Sequence, residues 1–250
     1  MFDNKIFTTQ RDKVLNELNN QNNYSGIGKL NEKILHKIIK FSINPNEENH
    51  EIKIGKYYAD VLKNNTIYEI QTRAFNKLRP KLNFFLSLKD YTTYIILPIP
   101  YVKYIYWIDN DTKKTISKRK SPKLGSIYDS ILEIYKIKQY LNRENLKFVF
   151  LFINLEEYRN LNGWDKTKKK GSTRHERIPL ELVSYIEINN INDFRIFIPK
   201  GLNEQFTNKD FQKAAKTNLR VASTCTNILV SLNLIELVGK KGKMNLYKVK

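Results

Sequence analysis

The sequence predicts an α/β (α+β) fold with a mixed sheet flanked by helices, followed by a separate C-terminal module. Three observations carry this. Helix-period apolar stripes alternate with short Tyr/Ile/Val runs between Leu30 and Leu155. Phe148 to Leu155 is almost entirely apolar, as a strand covered on both faces would be. Residues 207–250 follow a pattern of their own, two short helices and then a hairpin tipped by Gly239, Lys240, Lys241, Gly242 and Lys243.

In chain order, about Thr8 to Leu18 reads as a helix and Asn19 to Asn23 as an Asn-rich linker. Between Gly28 and Phe41, the residues Leu30, Ile34, Leu35, Ile38 and Ile39 fall on one helical face, with Glu32 and His36 sharing a flank. Glu51 to Ile54, Tyr57 to Leu62 and Thr66 to Gln71 read as a three-strand meander, joined at Gly55-Lys56 and at Asn64-Asn65. Asn tolerates the positive φ that a two-residue turn demands. Ala74 to Lys89 reads as a helix, with Pro80 marking a kink or a first turn. Thr93 to Leu97 and Val102 to Ile108 read as two strands, and Lys113 to Lys123 as a basic loop stiffened by Pro122. Ser126 caps a helix to about Leu141. A second basic stretch runs from Lys166 to Arg174, and Ile178 to Ile198 reads as a mixed connector. Thr207 caps a helix over 208–215, and Asn218 to Leu232 forms the next. With strands Ile235 to Val238 and Met244 to Val249, these describe a winged helix-turn-helix. The division predicted is 1–23 (helix and linker), 24–155 (core), 156–203 (basic hairpin and connector) and 204–250 (winged helix).

The formal net charge is +19, from 44 basic and 25 acidic residues, which points to a polyanionic partner. Cys225 is the only cysteine, so no intramolecular disulfide can form and a reducing, cytoplasmic setting is expected. The longest apolar run, Tyr94 to Ile108, is broken by Pro98, Pro100 and Lys103, so no membrane span is expected.

The chemistry centres on the second turn of the meander. With Asn64 and Asn65 as its two turn residues, Asp60 is expected opposite Glu69, and Gln71 joins the same face. Two carboxylates side by side repel, and such a pair is kept mainly where a cation sits between them. A helix Glu, a strand Asp, a turn and then Glu-X-(Lys or Gln) is the order of the PD-(D/E)XK nuclease core. Glu32, Asp60, Glu69 and Gln71 match it, so this region resembles the restriction-endonuclease-like fold. The resemblance implies that Asp60, Glu69, the Ile70 carbonyl and Glu32 hold Mg²⁺, for which Mn²⁺ substitutes. It makes Glu32, Asp60, Glu69 and Gln71 the catalytic set, with His36 as an accessory. Gln71 departs from the usual Lys, because it neither carries charge nor titrates. Lys81, on the following helix, is the candidate to supply that charge, as migrated lysines do in this superfamily.

Most of the chain, from about Leu30 to the C-terminus, also resembles a poorly characterised prokaryotic domain-of-unknown-function family. The matching features are Asn31-Glu32-Lys33 with Leu35-His36, Glu69-Ile70-Gln71-Thr72, Arg79 to Leu82, Arg119 to Lys123, Gly163-Trp164 and Val238 to Lys241. That family carries Gln in the same place and transfers no substrate.

Affinity for a polyanion is expected from Arg73, Lys81, Lys118, Arg119, Lys120 and Lys123. In the winged helix it is expected from Asn218, Arg220, Thr224, Lys240, Lys241 and Lys243, with Asn227 on the same helix. Residues 207–250 hold nine basic and two acidic residues, which favours duplex DNA as partner. The functional expectation is a metal-dependent DNA endonuclease, a homodimer if it follows its fold relatives, with a restriction or defence role. The alternative is a non-cleaving DNA-binding regulator or adaptor on the same fold.

Overall fold

The computed structural model describes residues 2–20, 34–109, 112, 114–164 and 170–250, and the side chains of all of these except 19, 161–164 and 170–175. Glu32, the Asn-rich linker beyond residue 20, and Lys166, Lys168 and Lys169 lie outside the described residues. The fold is α+β, built on a seven-stranded mixed sheet. Its strand order is β1(His50–Ile54), β2(Tyr57–Lys63), β3(Thr66–Ile70), β4(Thr92–Ile108), β6(Leu146–Trp164), β7(Lys170–Ile188), and β5(Thr115–Lys120) pairs with β4. By contact density the chain divides into two compact units, each assembled from three separate stretches.

The first unit comprises Met1–Lys63, Pro98–Gly125 and Leu151–Tyr185. Helix α1(Asn4–Asn20) starts four residues earlier than its apolar pattern suggests, because Asp3 Oδ1 accepts the Ile6 N–H at 3.0 Å. Asn4 Oδ1 accepts the Leu182 N–H at 3.0 Å, Arg11 donates to the Leu180 carbonyl, and Phe2 packs edge-on to Tyr185. The helix thereby satisfies backbone groups of β7, the last strand in the sheet order, which a bare edge would leave open to pairing. Helix α2(Ile34–Ile43) buries the expected stripe, Ile34, Leu35, Ile38 and Ile39. Strands β1 and β2 are antiparallel, with Gly55 at φ +59° in the turn.

β4 corrects the expectation of two separate strands. It runs without a break through Pro98 and Pro100. Pairing with β3 ends at Ile96 and pairing with β5 begins at Tyr104, so the two missing N–H groups fall where β4 lacks a partner on that path. The stretch after β5 folds back over this gap. Ser121 N donates to Lys103 O at 2.7 Å and Gly125 N to Tyr101 O at 2.9 Å. A Cβ at Gly125 would lie 2.1 Å from the Pro100 carbonyl oxygen, so only glycine fits this approach. A second correction concerns the basic run, which is strand β5 and not a loop. A third is that most of the supposed connector is the long strand β7, followed by a 3₁₀ turn over Ile191–Phe197.

The second unit comprises Asn64–Leu97, Ser126–Phe150 and Ile186–Lys250. Strand β3 lies parallel to β4, Glu69 beside Ile95. The segment expected as one helix is a 3₁₀ turn over Phe75–Leu78 leading into α3(Arg79–Phe85), with Pro80 in its first turn. Ser126 does cap, with Asp129 completing a capping box, but the helix is segmented and only α4(Ile131–Tyr135) is α-helical. Phe148, Phe150, Phe194 and Phe197 form an aromatic core with centroids 5.9–6.2 Å apart. Each such buried ring contributes about 1.5–3 kcal/mol. Tyr128 extends this core to Phe211 of the C-terminal module. That module is β8(Gln205–Thr207), α5(Asn208–Ala214), α6(Leu219–Ser231), β9(Ile235–Lys241) and β10(Met244–Val249), with sheet order β8-β10-β9. Thr207 caps α5 in a box with Asp210, and Asn218 caps α6.

Candidate functional site

The turn between β2 and β3 has the expected geometry: Asn64 and Asn65 take φ of +47° and +56°. In the second unit, the strand after this turn carries Glu69 into the interior, its side chain 4% exposed. An ionised carboxylate taken out of water needs a cation. Lys81 supplies it from the first turn of α3, its Nζ 2.7 Å from both Glu69 oxygens. The ammonium also lies 5.6 Å from the centre of the Phe85 ring, one turn further along the helix. Gln71 follows, its backbone N–H on the Ile96 carbonyl at 2.9 Å and its side-chain Nε2 on the Arg73 carbonyl at 2.6 Å. The chain then turns at Ala74, whose left-handed φ of +61° starts the 3₁₀ turn, and the Phe75 N–H is taken by Glu133 at 3.0 Å. Glu69 and Lys81 are thus brought together as a buried carboxylate–ammonium pair, while the Gln71 side chain is turned to the Arg73 carbonyl.

In the first unit, Asp60 sits on the half-buried face of β2 with Tyr58 and Leu62, while Ala59 and Val61 are buried on the other. His36 is half-buried on α2. Among the described residues, no group of three or more His, Cys, Asp or Glu is arranged to hold a metal ion.

The basic residues divide. Arg73 and Lys123 are exposed. In β5, Lys118 lies opposite Tyr106 and Lys120 opposite Tyr104, whereas Arg119 lies opposite Ile105, so alternation sends Arg119 to the other face. In α6, Arg220 is exposed and Thr224 Oγ1 donates back to the Arg220 carbonyl at 2.8 Å. Asn218 Oδ1 is occupied in capping, taking the Val221 N–H at 2.9 Å, and Asn227 Oδ1 accepts from Lys138 Nζ at 2.8 Å. Lys240, Lys241 and Lys243 are exposed around Gly242, whose φ is +63°.

A second charged centre in the first unit was not expected from the sequence. The Glu157 carboxylate is wholly buried, with Arg159 Nε at 2.8 Å, Arg177 Nε and Nη2 at 2.9 Å and Lys103 Nζ at 3.7 Å. Burial pushes its pKa up, but the Arg177 charge, the Arg159 hydrogen bond and the Lys103 charge outweigh it and hold the pKa at about 2. Arg159 also lies 5.8 Å from the centre of the Trp107 ring. On the opposite side of these strands, Glu156 accepts from Tyr106 at 2.6 Å and Tyr158 at 2.7 Å, the two rings stack at 4.8 Å, and Lys118 lies over Tyr106. The signal was the alternation in Glu156-Glu157-Tyr158-Arg159, which lies just beyond the apolar run that defined the strand.

A family model described as a domain of unknown function (DUF8091) matches residues 33–189. The chain belongs to this family. The matched span includes Asp60, Glu69, Gln71, Lys81 and the Glu157 centre, and ends before the C-terminal module. An uncharacterized protein of Treponema pallidum (strain Nichols) is 25% identical over 162 residues, covering 64% of this chain. The chain spans 61% of the length of that relative. No solved structure matches.

Proposed function

We propose that this DUF8091 protein is a metal-dependent DNA endonuclease of the PD-(D/E)XK type, in which Lys81 takes the part of the strand lysine that Gln71 replaces. The observation that carries the proposal is the Lys81 ammonium 2.7 Å from both oxygens of buried Glu69. It puts the missing positive charge beside one of the proposed ligands.

The donor chemistry beside Lys81 fits a hard divalent ion: the Glu69 carboxylate and the Ile70 carbonyl are both oxygen donors, few enough that Mg²⁺ would keep most of its waters. Bound Mg²⁺ would supply an activated water and charge for the leaving oxygen. Lys81 would release Glu69 to the ion and turn to a phosphate oxygen, which a flexible four-carbon stem allows. Gln71, oriented by the Arg73 carbonyl, would hold the attacking water with its side-chain oxygen. The C-terminal module, read as a winged helix, would dock on duplex DNA through Arg220 and Thr224 of α6 and Lys240, Lys241 and Lys243 of the wing. Asn218 would act there through its cap, not by reading bases.

The test is incubation of plasmid and single-stranded DNA with purified protein in Mg²⁺ or Mn²⁺. Wild type is expected to cleave, and Asp60→Ala and Lys81→Met to lose about 100-fold or more in rate. Absence of cleavage in both metals overturns the nuclease reading. One observation favours the second reading, a non-cleaving DNA-binding regulator: the Glu69–Lys81 pair is already neutral, so Glu69 needs no metal for charge balance. Under that reading Mn²⁺ leaves the melting temperature unchanged.

A further inference from the structure

The Glu157 centre carries more positive charge than a buried carboxylate requires. One guanidinium neutralises a carboxylate; here two guanidinium groups and an ammonium converge on it. Like charges brought this close repel, and the repulsion is relieved when an anion arrives. The three cationic side chains keep between 18% and 28% of their surface in solvent, so they are anchored from below while part of each faces outward.

Strand alternation adds two residues. Trp107 and Lys103 share a face of β4, and the Arg159–Trp107 and Lys103–Glu157 contacts put Glu157 and Arg159 of β6 on it too. Arg119, directly across from Ile105 on β5, joins the same face and is exposed. This face of the first unit therefore carries Lys103, Arg119, Arg159 and Arg177 with the Glu157 carboxylate among them and an indole beside them. The opposite face differs: Glu156 ties Tyr106 and Tyr158 into a stacked pair under Lys118, so its polar groups are turned on one another.

We propose that the Lys103–Arg119–Arg159–Arg177 face is a seat for the phosphodiester backbone of a nucleic acid, with Trp107 lying against a base or sugar. Arginine forks match phosphate oxygens in pairs, and Glu157 holds two of them fixed before the ligand arrives, so little side-chain entropy remains to be lost on binding. A cluster of three cations with a fourth, Arg119, set off from it on β5 suits successive phosphates of one strand better than one compact anion, and an aromatic ring among cations is the arrangement that stacks bases without reading sequence. The seat does not depend on cleavage.

Binding of a fluorescent 30-nucleotide DNA, single- and double-stranded, measured by anisotropy in EDTA against salt, tests the seat with any nuclease activity silent. Arg119→Gln is the leading variant, because Arg119 is exposed and its loss leaves Glu157 its three cations. It is expected to weaken binding and to reduce the slope of log K against log salt by about 1. Lys5→Gln, an exposed α1 residue of equal charge, is expected to leave the slope unchanged. Arg159→Gln, checked for an intact fold by circular dichroism, is expected to act like Arg119→Gln; if it unfolds, Arg119→Gln decides alone. Equal slopes for wild type and Arg119→Gln, or equal losses for Arg119→Gln and Lys5→Gln, overturn the proposal. So does a poly-glutamate that competes as well as DNA, charge for charge. Loss of cleavage with these binding effects intact removes the nuclease reading and leaves the seat standing.

Discussion

Glu69 and Glu157 are both carboxylates with almost no surface in water, and they are neutralised in contrasting ways. Glu69 has Lys81, whose ammonium straddles its two oxygens at 2.7 Å. Glu157 has two arginines and Lys103. A lysine is a point charge on a flexible stem and can leave its partner for a competing cation or turn to another anion; an arginine fork with two N–H groups on one carboxylate is fixed in direction. Glu69 is therefore held by a partner free to reorient and Glu157 by partners fixed in direction. The first suits a site where charge is to be rearranged, the second a site where charge is to be held in place for something else to meet.

The largest effect is expected at the Glu157 centre. Glu157→Gln removes the anion on which the three cations converge, and breaking a buried ion pair from one side costs about 3–5 kcal/mol. Urea denaturation reads this directly. The pH dependence follows with a definite sign. The folded-state pKa of Glu157 is lowered from 4.5 to about 2, so its contribution is complete above about pH 4.5 and is lost as pH falls toward 2. The difference in stability between wild type and Glu157→Gln, measured from pH 6 downward, is expected to hold until about pH 4.5 and then shrink. A difference that stays constant to pH 2 would show that the carboxylate is not ionised by its cations.

The Glu69 centre is expected to respond next. Lys81→Met keeps the stem over Phe85 and removes the charge, leaving Glu69 buried without its ammonium at a cost of about 3 kcal/mol, the lower end of the same range because one pair is broken where Glu157→Gln breaks several. If Glu69 is a metal ligand, this variant has lost the competitor for its oxygens. Mn²⁺ is then expected to raise the melting temperature of Lys81→Met more than that of wild type, by mass action on the folded state. An equal shift in the two proteins, or none, removes Glu69 from the ligand set even if Lys81 proves essential.

The two centres also differ in how far the sequence revealed them. Glu69 sits after a two-residue Asn turn and inside an apolar strand, features that local rules read well, so the strand and the turn conformation were legible; Lys81 was marked only as the charge that Gln71 lacks, and its pairing with Glu69 was not foreseen. The caps at Ser126 and Thr207 were legible for the same reason, since in each a side-chain oxygen accepts a nearby backbone N–H; the cap at Asn218 is of the same kind but was not read. The Glu157 centre was not, because strands β6 and β7 continue far beyond their apolar segments. Arg159 and Arg177 are 18 positions apart, and no local pattern records that they share one carboxylate. β5 was hidden in the same way: the run Lys118-Arg119-Lys120 reads as a loop by composition, and only its pairing with β4 shows that its charges are dealt to opposite faces. Prolines 98 and 100 broke the pattern of β4 although a gap in its pairing accommodates both.

The smallest stability effect is expected at Lys103, and it separates the two roles of the Glu157 centre. Its Nζ is 3.7 Å from the carboxylate, beyond hydrogen-bond distance, and the two arginines already satisfy the charge. Lys103→Met preserves the stem and relieves repulsion among the three cations, so the change in stability is expected to stay within about 1 kcal/mol. The nucleic-acid salt slope is nonetheless expected to fall by about 1, as for any lost phosphate contact. A loss of more than about 2 kcal/mol with an unchanged slope would mean that Lys103 serves Glu157 alone. The excess charge on this face would then be a feature of packing, and the contrast with Glu69 would reduce to a carboxylate held by arginine forks and another held by a lysine.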